Sequence, residues 1–277
     1  MPEQPTICAI LLTADRPEYA RRAVAAFRAQ TYPAKRLLIL DSGVTQLGFD
    51  SVSTARGEFY VRGERGPILP TIGELRNMAN GIRHFEEPDI FVHFDDDDWS
   101  HPNRIAEQVA LLQSSGADVV GYRECLFWRE TPQAIKDHYA EVQRRYPTDP
   151  NVPMPAHLQL RLGEAWLYSN PDPRYCLGTS LCYWRKTWER KPFEATSQGE
   201  DIRFCTGLKC IGIPSTFRWM GPSGSGHDDL QPRMIARIHS GNTSTVYRPE
   251  LMAAIERQGG EWKRVPEWDS YCRGVME

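Results

Sequence analysis

The chain is most informative first in what it lacks. None of its 277 residues fall in an apolar run long enough to make a membrane-spanning helix. It has no basic excess: 33 Lys and Arg stand against 36 Asp and Glu, a net charge of −3, so no global field draws it to nucleic acid or an anionic membrane. The start, "MPEQPTICAILLTADRP", has no basic n-region, and a cleaved signal peptide is not expected. The seven cysteines are odd in number, and no two have the two-residue gap of a zinc knuckle. Buried free thiols in a reducing cytoplasm are therefore expected. There is no internal repeat. The 40% apolar content is enough for one large α/β domain with a full core.

What is present begins as a strand–helix–strand unit. "TICAILLT" (Thr6 to Thr13) is a continuous apolar and β-branched run, as in a strand buried on both faces. "RPEYARRAVAAFRAQ" has Ala20, Val24 and Phe27 at helical spacing, and "RLLILD" ends a second strand at Asp41. Two strands joined by a helix predict a parallel sheet. A helix is predicted from near Thr71, a strand over "DIFVHF" (Asp89 to Phe94), and a helix over "PNRIAEQVALLQ" with Pro102 in its first turn. "ADVVGYRECLFW" resumes strand character. Later, "AWLYS", "TSLCYW" and "STFRWM" read as strands and "GEDIRFCTGLK" as a helix. Trp184 and Trp188, four apart, would share a face if their segment is helical.

Between the strand ending at Phe94 and the helix after it stand four consecutive aspartates, Asp95 to Asp98. One acid there suffices to cap a helix, and Asp98, Ser100 or His101 would serve. Four need another explanation. Ligands of open α/β sheets bind beyond the carboxyl ends of the strands, and Asp15, Asp41 and Asp95 to Asp98 each follow a predicted strand. Along an extended chain Asp95 and Asp97 point one way, Asp96 and Asp98 the other. Carboxylates facing one another raise each other's pKa unless a cation relieves them. A hard divalent ion does so, and Mg²⁺ takes only one or two protein carboxylates together with substrate phosphates.

At this point the chain resembles a known family. "ICAILLTADRPEYARRAVAAFRAQTYPAKRLLILDSG", "GELRNMANGI", "FDDDDWSHPNRI" and "GEDIRF" occur in the order seen in family 2-type glycosyltransferases of the GT-A fold. The resemblance implies a mostly parallel, Rossmann-like sheet flanked by helices, with an acceptor-side elaboration at the C-terminal end. Residues 1–125 would be the nucleotide-sugar half. Residues 126–277 would be the acceptor and C-terminal part of the same domain, with loops near 146–157 and 221–233. Asp41 would hydrogen-bond the base, with Thr13, Asp15 and Arg16 lining that pocket and Arg76 near the ribose or phosphates. Asp95 and Asp97 match the family's Asp-x-Asp acids, with Asp97 as metal ligand, Asp95 bridging ribose and metal, and Asp96 beside them on the donor. The ion would be Mn²⁺ or Mg²⁺, and a UDP-sugar is the default donor. The chain departs from the pattern at "LDSGVTQ", where many members carry a second acid.

Glu200 and Asp201 open a helix, where helix-dipole complementation alone accounts for acids. By resemblance they are the acceptor-side pair, with Asp201 as catalytic base and direct displacement inverting the sugar carbon. His239, in "ARIHSGNTS", is by itself a structural histidine. By resemblance it is the late histidine that completes the metal site, with Asn242 and Thr243 offering phosphate hydrogen bonds. Trp99, beside the acids, is expected to line the pocket. The acceptor stays open among glycan, lipid-linked glycan, protein, small molecule and modified DNA base, and no Gln-x-x-Arg-Trp motif of processive synthases occurs. Two rivals differ in class. A nucleotidyltransferase needs a glycine-rich basic loop, which "LLTADRPEYARR" lacks. A non-catalytic nucleotide- or glycan-binding module has no need of both acidic sites.

Overall fold

A computed structural model describes residues 4–45, 47–48, 56–63, 70–82, 87–130, 163–215, 231–239 and 260–277. The expected strand of "STFRWM" from Thr216 onward, the loop at 146–157, most of that at 221–233, and Asn242 and Thr243 lie outside them.

The first half follows the apolar runs. Strand β1 (Ile7–Thr13) leads into helix α1 (Pro17–Arg28), β2 (Lys35–Asp41), β3 (Glu58–Arg62), helix α2 (Ile72–Gly81) and β4 (Ile90–His93). Proline begins α1, where its missing N–H costs nothing. Helix α2 starts on a capping box: Thr71 accepts from the Glu74 amide, and the Glu74 carboxylate accepts from the Thr71 amide. Four strands in the order β3-β2-β1-β4 pair in parallel.

These strands are apolar throughout because both faces are covered. Ile7, Ala9, Leu11, Leu37 and Ile39 pack with Val24 and Phe27 of α1 and with Ile105 and Val109 of α3 (Arg104–Ser115). The alternate residues Cys8, Ile10, Leu38 and Leu40 pack on the other face with Leu75 and Ala79 of α2 and with Tyr183 and Phe204. Fully burying a side chain of this size contributes roughly 1.5–3 kcal/mol. Pro102 stands in a turn just ahead of α3, which begins at Arg104.

Beyond β4 the pairing turns mixed. After the two-residue strand β5 (Trp99–Ser100) comes the long β6 (Val119–Arg129), which runs across the 125/126 division. It pairs with β7 (Glu164–Ser169) and β8 (Cys182–Trp184) antiparallel, and with β9 (Cys210–Pro214) and β10 (Met234–Ile238) parallel. β8 also pairs antiparallel with β4 and so joins the halves. Helices α4 (Arg185–Arg190) and α5 (Glu200–Cys205), strand β11 (Glu261–Arg264) and helix α6 (Asp269–Met276) complete the described elements.

Local pairing sets the place of three tryptophans. Trp184 and Trp188 do not share a helix face, because Trp184 ends β8 and α4 starts at Arg185. The Trp184 indole bonds to the Ala117 carbonyl on one side of the sheet, while that of Trp188 bonds to Asn77 on the other. Trp99 belongs to a packing cluster, its ring edge-on to Tyr271 of α6. Pairing of β5 with β10 accounts for that placement.

Candidate functional site

The parallel register brings Thr13, at the end of β1, beside Asp41, at the end of β2. Asp15 follows β1 with φ of 55°, the left-handed region that short polar side chains tolerate. Its carboxylate accepts from the amides of Val44 and Thr45 at 2.9 and 2.8 Å and so braces the loop after β2. Gly43 is required there, since a Cβ would stand 2.6 Å from the Asp15 amide nitrogen. Asp41 holds the same loop from below. It is 0% exposed and accepts from the Gly43 amide at 2.8 Å and the Tyr60 hydroxyl at 2.6 Å. Asp15 and Asp41 together shape the loop after β2.

The four aspartates do not continue the strand. A turn at Asp96 and Asp97 breaks the alternation, so each carboxylate goes its own way. Asp96 is buried, accepts from the Thr13 hydroxyl at 2.6 Å and lies 2.8 Å from Arg16 Nη2. Asp97 Oδ2 lies 3.1 Å from Arg16 Nη1 and 3.0 Å from His239 Nε2. The guanidinium of Arg16 is thus shared by Asp96 and Asp97. Asp98 accepts from the Thr179 hydroxyl and, at 3.0 Å, from the Arg237 amide. Burial raises the pKa of Asp98 well above the ordinary value, and the charges of Asp97 and Asp95 add to it. Burial also raises Asp96, against the opposing charge of Arg16. At Asp97 burial is outweighed by the hydrogen bond with His239 and the charge of Arg16, and the pKa falls.

Asp95 faces the second acidic pair. Its Oδ1 stands 3.8 Å from Arg76 Nη1, and Arg76 Nε stands 3.6 Å from Glu200 Oε1. Both separations exceed a hydrogen bond. Asp95 Oδ1 and the Nε and Nη1 of Arg76 are buried without hydrogen-bond partners. Native proteins rarely leave such groups unpaired, and leaving a charged one so is costly. Glu200 is buried, and Asp201 is half-buried. Burial raises the pKa of both, with the neighbouring Asp201 charge adding to the effect at Glu200.

Asp201 is set by a turn that sequence reasoning missed. Its carboxyl lies over Gly178, where a Cβ would come 2.2 Å from Asp201 Oδ2. Gly178 opens a short 3-10 turn ending at Ser180, and its carbonyl lies 2.6 Å from His93 Nδ1. A carbonyl only accepts, so Nδ1 carries the proton, and Nε2 accepts from the Tyr183 hydroxyl at 3.3 Å. Asn80 of α2 donates to that hydroxyl at 3.0 Å. Burial, then the charge of Arg76, holds His93 neutral, its pKa well below the usual value. The next residue of the turn, Thr179, is the one that bonds Asp98. Asp98 and Asp201 therefore rest on one three-residue turn. The signal in the sequence was a histidine inside an apolar strand, "FVHF".

Carboxylates with one imidazole suit a hard divalent ion such as Mn²⁺ or Mg²⁺. Asp97 and His239 already meet at one point, and Asp95 Oδ1 is buried without a hydrogen-bond partner. Among the described residues no three His, Cys, Asp or Glu side chains are spaced to cage an ion by themselves. An ion here would complete its shell from substrate phosphates and water, as Mg²⁺ ordinarily does.

With this geometry in view, the chain was compared with known proteins. No curated protein sequence matches it. Among solved structures it is similar to S. aureus TarS 1–349 in complex with UDP-GlcNAc, at 14% identity and a TM-score of 0.53, covering 91% of this chain and 65% of that one. It is similar to the mannosyltransferase PcManGT from Pyrobaculum calidifontis in complex with GDP-Man and Mn2+, at 14% identity and a TM-score of 0.51, covering 99% and 70%. The chain spans 60% of TarS 1–349 in a further crystal structure and 37% of the longer TarS chain. At these identities the likeness is one of fold. Among the described residues no helix is long and apolar enough to cross a membrane. The sequence model described as Glycosyl transferase family 2 matches residues 8–154, just over half of the chain, and includes the strand ends that carry Asp15, Asp41 and Asp95 to Asp98, so the chain belongs to glycosyl transferase family 2.

Proposed function

We propose that the chain transfers a sugar from a nucleoside-diphosphate sugar to an acceptor hydroxyl by direct displacement, inverting the anomeric carbon. The observation that carries this is the set of unpartnered buried atoms, Asp95 Oδ1 with Arg76 Nε and Nη1, between the donor-side acids and Glu200–Asp201. Asp201 takes the proton of the acceptor hydroxyl as its oxygen attacks the anomeric carbon. The bond from that carbon to the diphosphate breaks, and the electron pair leaves with the phosphate. Arg76 and Arg16 offset the charge that builds there. Asp97, Asp95 and His239 would hold a Mn²⁺ or Mg²⁺ ion, which when bound neutralises diphosphate charge. Thr13 and Asp96 keep the turn in place, and Asp15 and Asp41 shape the loop that meets the base.

Complexes of the similar structures with UDP-GlcNAc, and with GDP-Man and Mn2+, support a nucleotide-sugar donor and a divalent ion without choosing the base. A UDP-sugar is our default. The seven free thiols suit a reducing compartment such as the cytoplasm. Thermal-shift screening of UDP-, GDP- and TDP-sugars with and without Mn²⁺ tests the donor, because a bound ligand stabilises the native state. Metal-dependent release of the nucleoside diphosphate is expected. Donor binding without turnover, under conditions where acceptors of each class are supplied, favours a binding module.

A further inference from the structure

Asp201 and its helix have two supports, and both lead to one pair of buried side chains. At the first, its carboxyl lies against Gly178, where an added Cβ would come 2.2 Å from Oδ2 and 2.8 Å from Cγ. At the second, further along α5, the Phe204 ring stacks on that of Phe193 with centroids 4.2 Å apart and meets the Tyr183 ring edge-on at 5.0 Å. The Tyr183 hydroxyl donates to His93 Nε2 at 3.3 Å, and His93 Nδ1 donates to the Gly178 carbonyl at 2.6 Å. The His93 ring also packs 5.6 Å from that of Phe193 and edge-on to that of Tyr183 at 5.5 Å. All four rings are buried.

We propose that His93 and Tyr183 are positioning residues for Asp201, setting the base of the transfer through the Gly178 turn and through Phe204. Their catalytic meaning rests on the transferase reading above, whereas the packing they impose on α5 does not. Along β4 the faces alternate, so His93 shares a face with Phe91, which packs there as an apolar residue. An apolar side chain would serve that packing equally. An imidazole is costly to bury unless its nitrogens are bonded, and here both are. Its hold is on the Gly178 carbonyl, which the Leu181 amide reaches only at 3.5 Å, longer than an ordinary hydrogen bond.

The anchor of these contacts stands on α2, the helix that also carries Arg76. Asn80 donates to the Tyr183 hydroxyl at 3.0 Å, and Arg76, one turn earlier, reaches towards Asp95 and Glu200. Asn77 grips the segment ahead of α5: it donates to the Phe193 carbonyl at 2.8 Å and accepts from the Phe193 amide at 3.0 Å. The Gly178 turn continues into Thr179, whose hydroxyl bonds Asp98. The base is therefore set by side chains of β4, β8 and α2, all outside its own helix, and one turn links it to Asp98.

Three variants test this. Tyr183→Phe removes one hydroxyl and keeps the ring, His93→Leu removes both ring nitrogens, and His93→Asn keeps an N–H donor near the place of Nδ1. Hydrogen exchange of the full chain, read by mass spectrometry, needs no substrate. In Tyr183→Phe and His93→Leu the amides of 177–181 and of 199–206 should exchange about tenfold faster. Those of β1 and β2 should hold the parent rate, and His93→Asn should return the slow exchange. A structural role confined to the Gly178 turn would move 177–181 alone. With UDP-GlcNAc or GDP-mannose, Mn²⁺ and acceptors of each class, kcat for nucleoside diphosphate release should fall by about 10- to 100-fold in the same two variants at unchanged donor KM. His93→Asn should recover it. Tyr183→Phe carries the comparison if His93→Leu does not fold. Unchanged exchange at 199–206, or a kcat in Tyr183→Phe equal to that of the parent, overturns the proposal. If exchange changes as expected while the parent turns over neither donor, the transferase reading alone fails.

Discussion

The two acidic regions of this chain are built on opposite terms. Asp96, Asp97 and Asp98 each have a defined partner within about hydrogen-bond distance, through Thr13, Arg16, His239, Thr179 and the Arg237 amide. Across from them, Arg76 stands between Asp95 and Glu200 with both separations too long for a hydrogen bond. The first region is braced before any ligand arrives. The second keeps polar capacity unspent, as expected where a substrate is to complete the set. The crowded carboxylates are therefore dispersed among separate partners on one side, while on the other Arg76 and Asp95 keep atoms without hydrogen bonds.

This contrast can be broken by experiment. The largest effect should come from Asp201→Asn, which removes the proton acceptor while keeping shape. Transfer should fall by about 10²–10⁴-fold, with donor binding by thermal shift unchanged; a matching loss of donor binding would put Asp201 on the donor side instead. Asp97→Asn should do the reverse and weaken metal-dependent donor binding by about 10- to 100-fold, read as loss of the Mn²⁺-dependent thermal shift. Equal donor affinity in this variant and the parent would remove Asp97 from the ligand set.

Gly178→Ala sharpens the comparison, because its new Cβ would come 2.2 Å from Asp201 Oδ2. A misplaced base should cost about 100-fold in turnover, with the donor-induced thermal shift retained. Thr13→Val leaves the buried Asp96 without its hydroxyl partner and should destabilise the chain by about 1–3 kcal/mol in urea unfolding. The smallest effect is on pH. A base works ionised, so activity is lost as pH falls through its pKa. Because burial raises Asp201, the acid limb of the rate profile should lie above the ordinary aspartate value of about 3.9. In the parent that limb is measured as kcat against pH, and an ordinary value would argue for a solvated base.

Most of the first half was legible because its signals are local. The runs "ICAILLT" and "RLLILD" are apolar on both faces, and α1 carries its stripe at helical spacing. What escaped depends on partners far along the chain. The turn at Asp96 and Asp97 accompanies Arg16 and His239 as partners, and no alternation rule sees them. Trp99 read as a pocket residue because of its neighbours in sequence, yet its strand pairs with β10, which lies more than 130 residues later. The Gly178 turn gave no signal of its own, since a single glycine marks any loop. His93 did give one, an imidazole inside a buried strand, which calls for a hydrogen-bond partner.

A buried arginine lies where these regions touch. Arg104, from the first turn of α3, is 0% exposed, and its guanidinium donates to the Ser100 hydroxyl, the His93 carbonyl at 2.8 Å and the Thr179 carbonyl at 3.1 Å. A permanent cation in the interior is tolerable only while its acceptors stay with it. It therefore works like a rivet through two plates: His93, Ser100 and Gln108 hold it from the first half and the Thr179 carbonyl from the second, so parting the halves would strip this buried cation of the acceptor that Thr179 supplies.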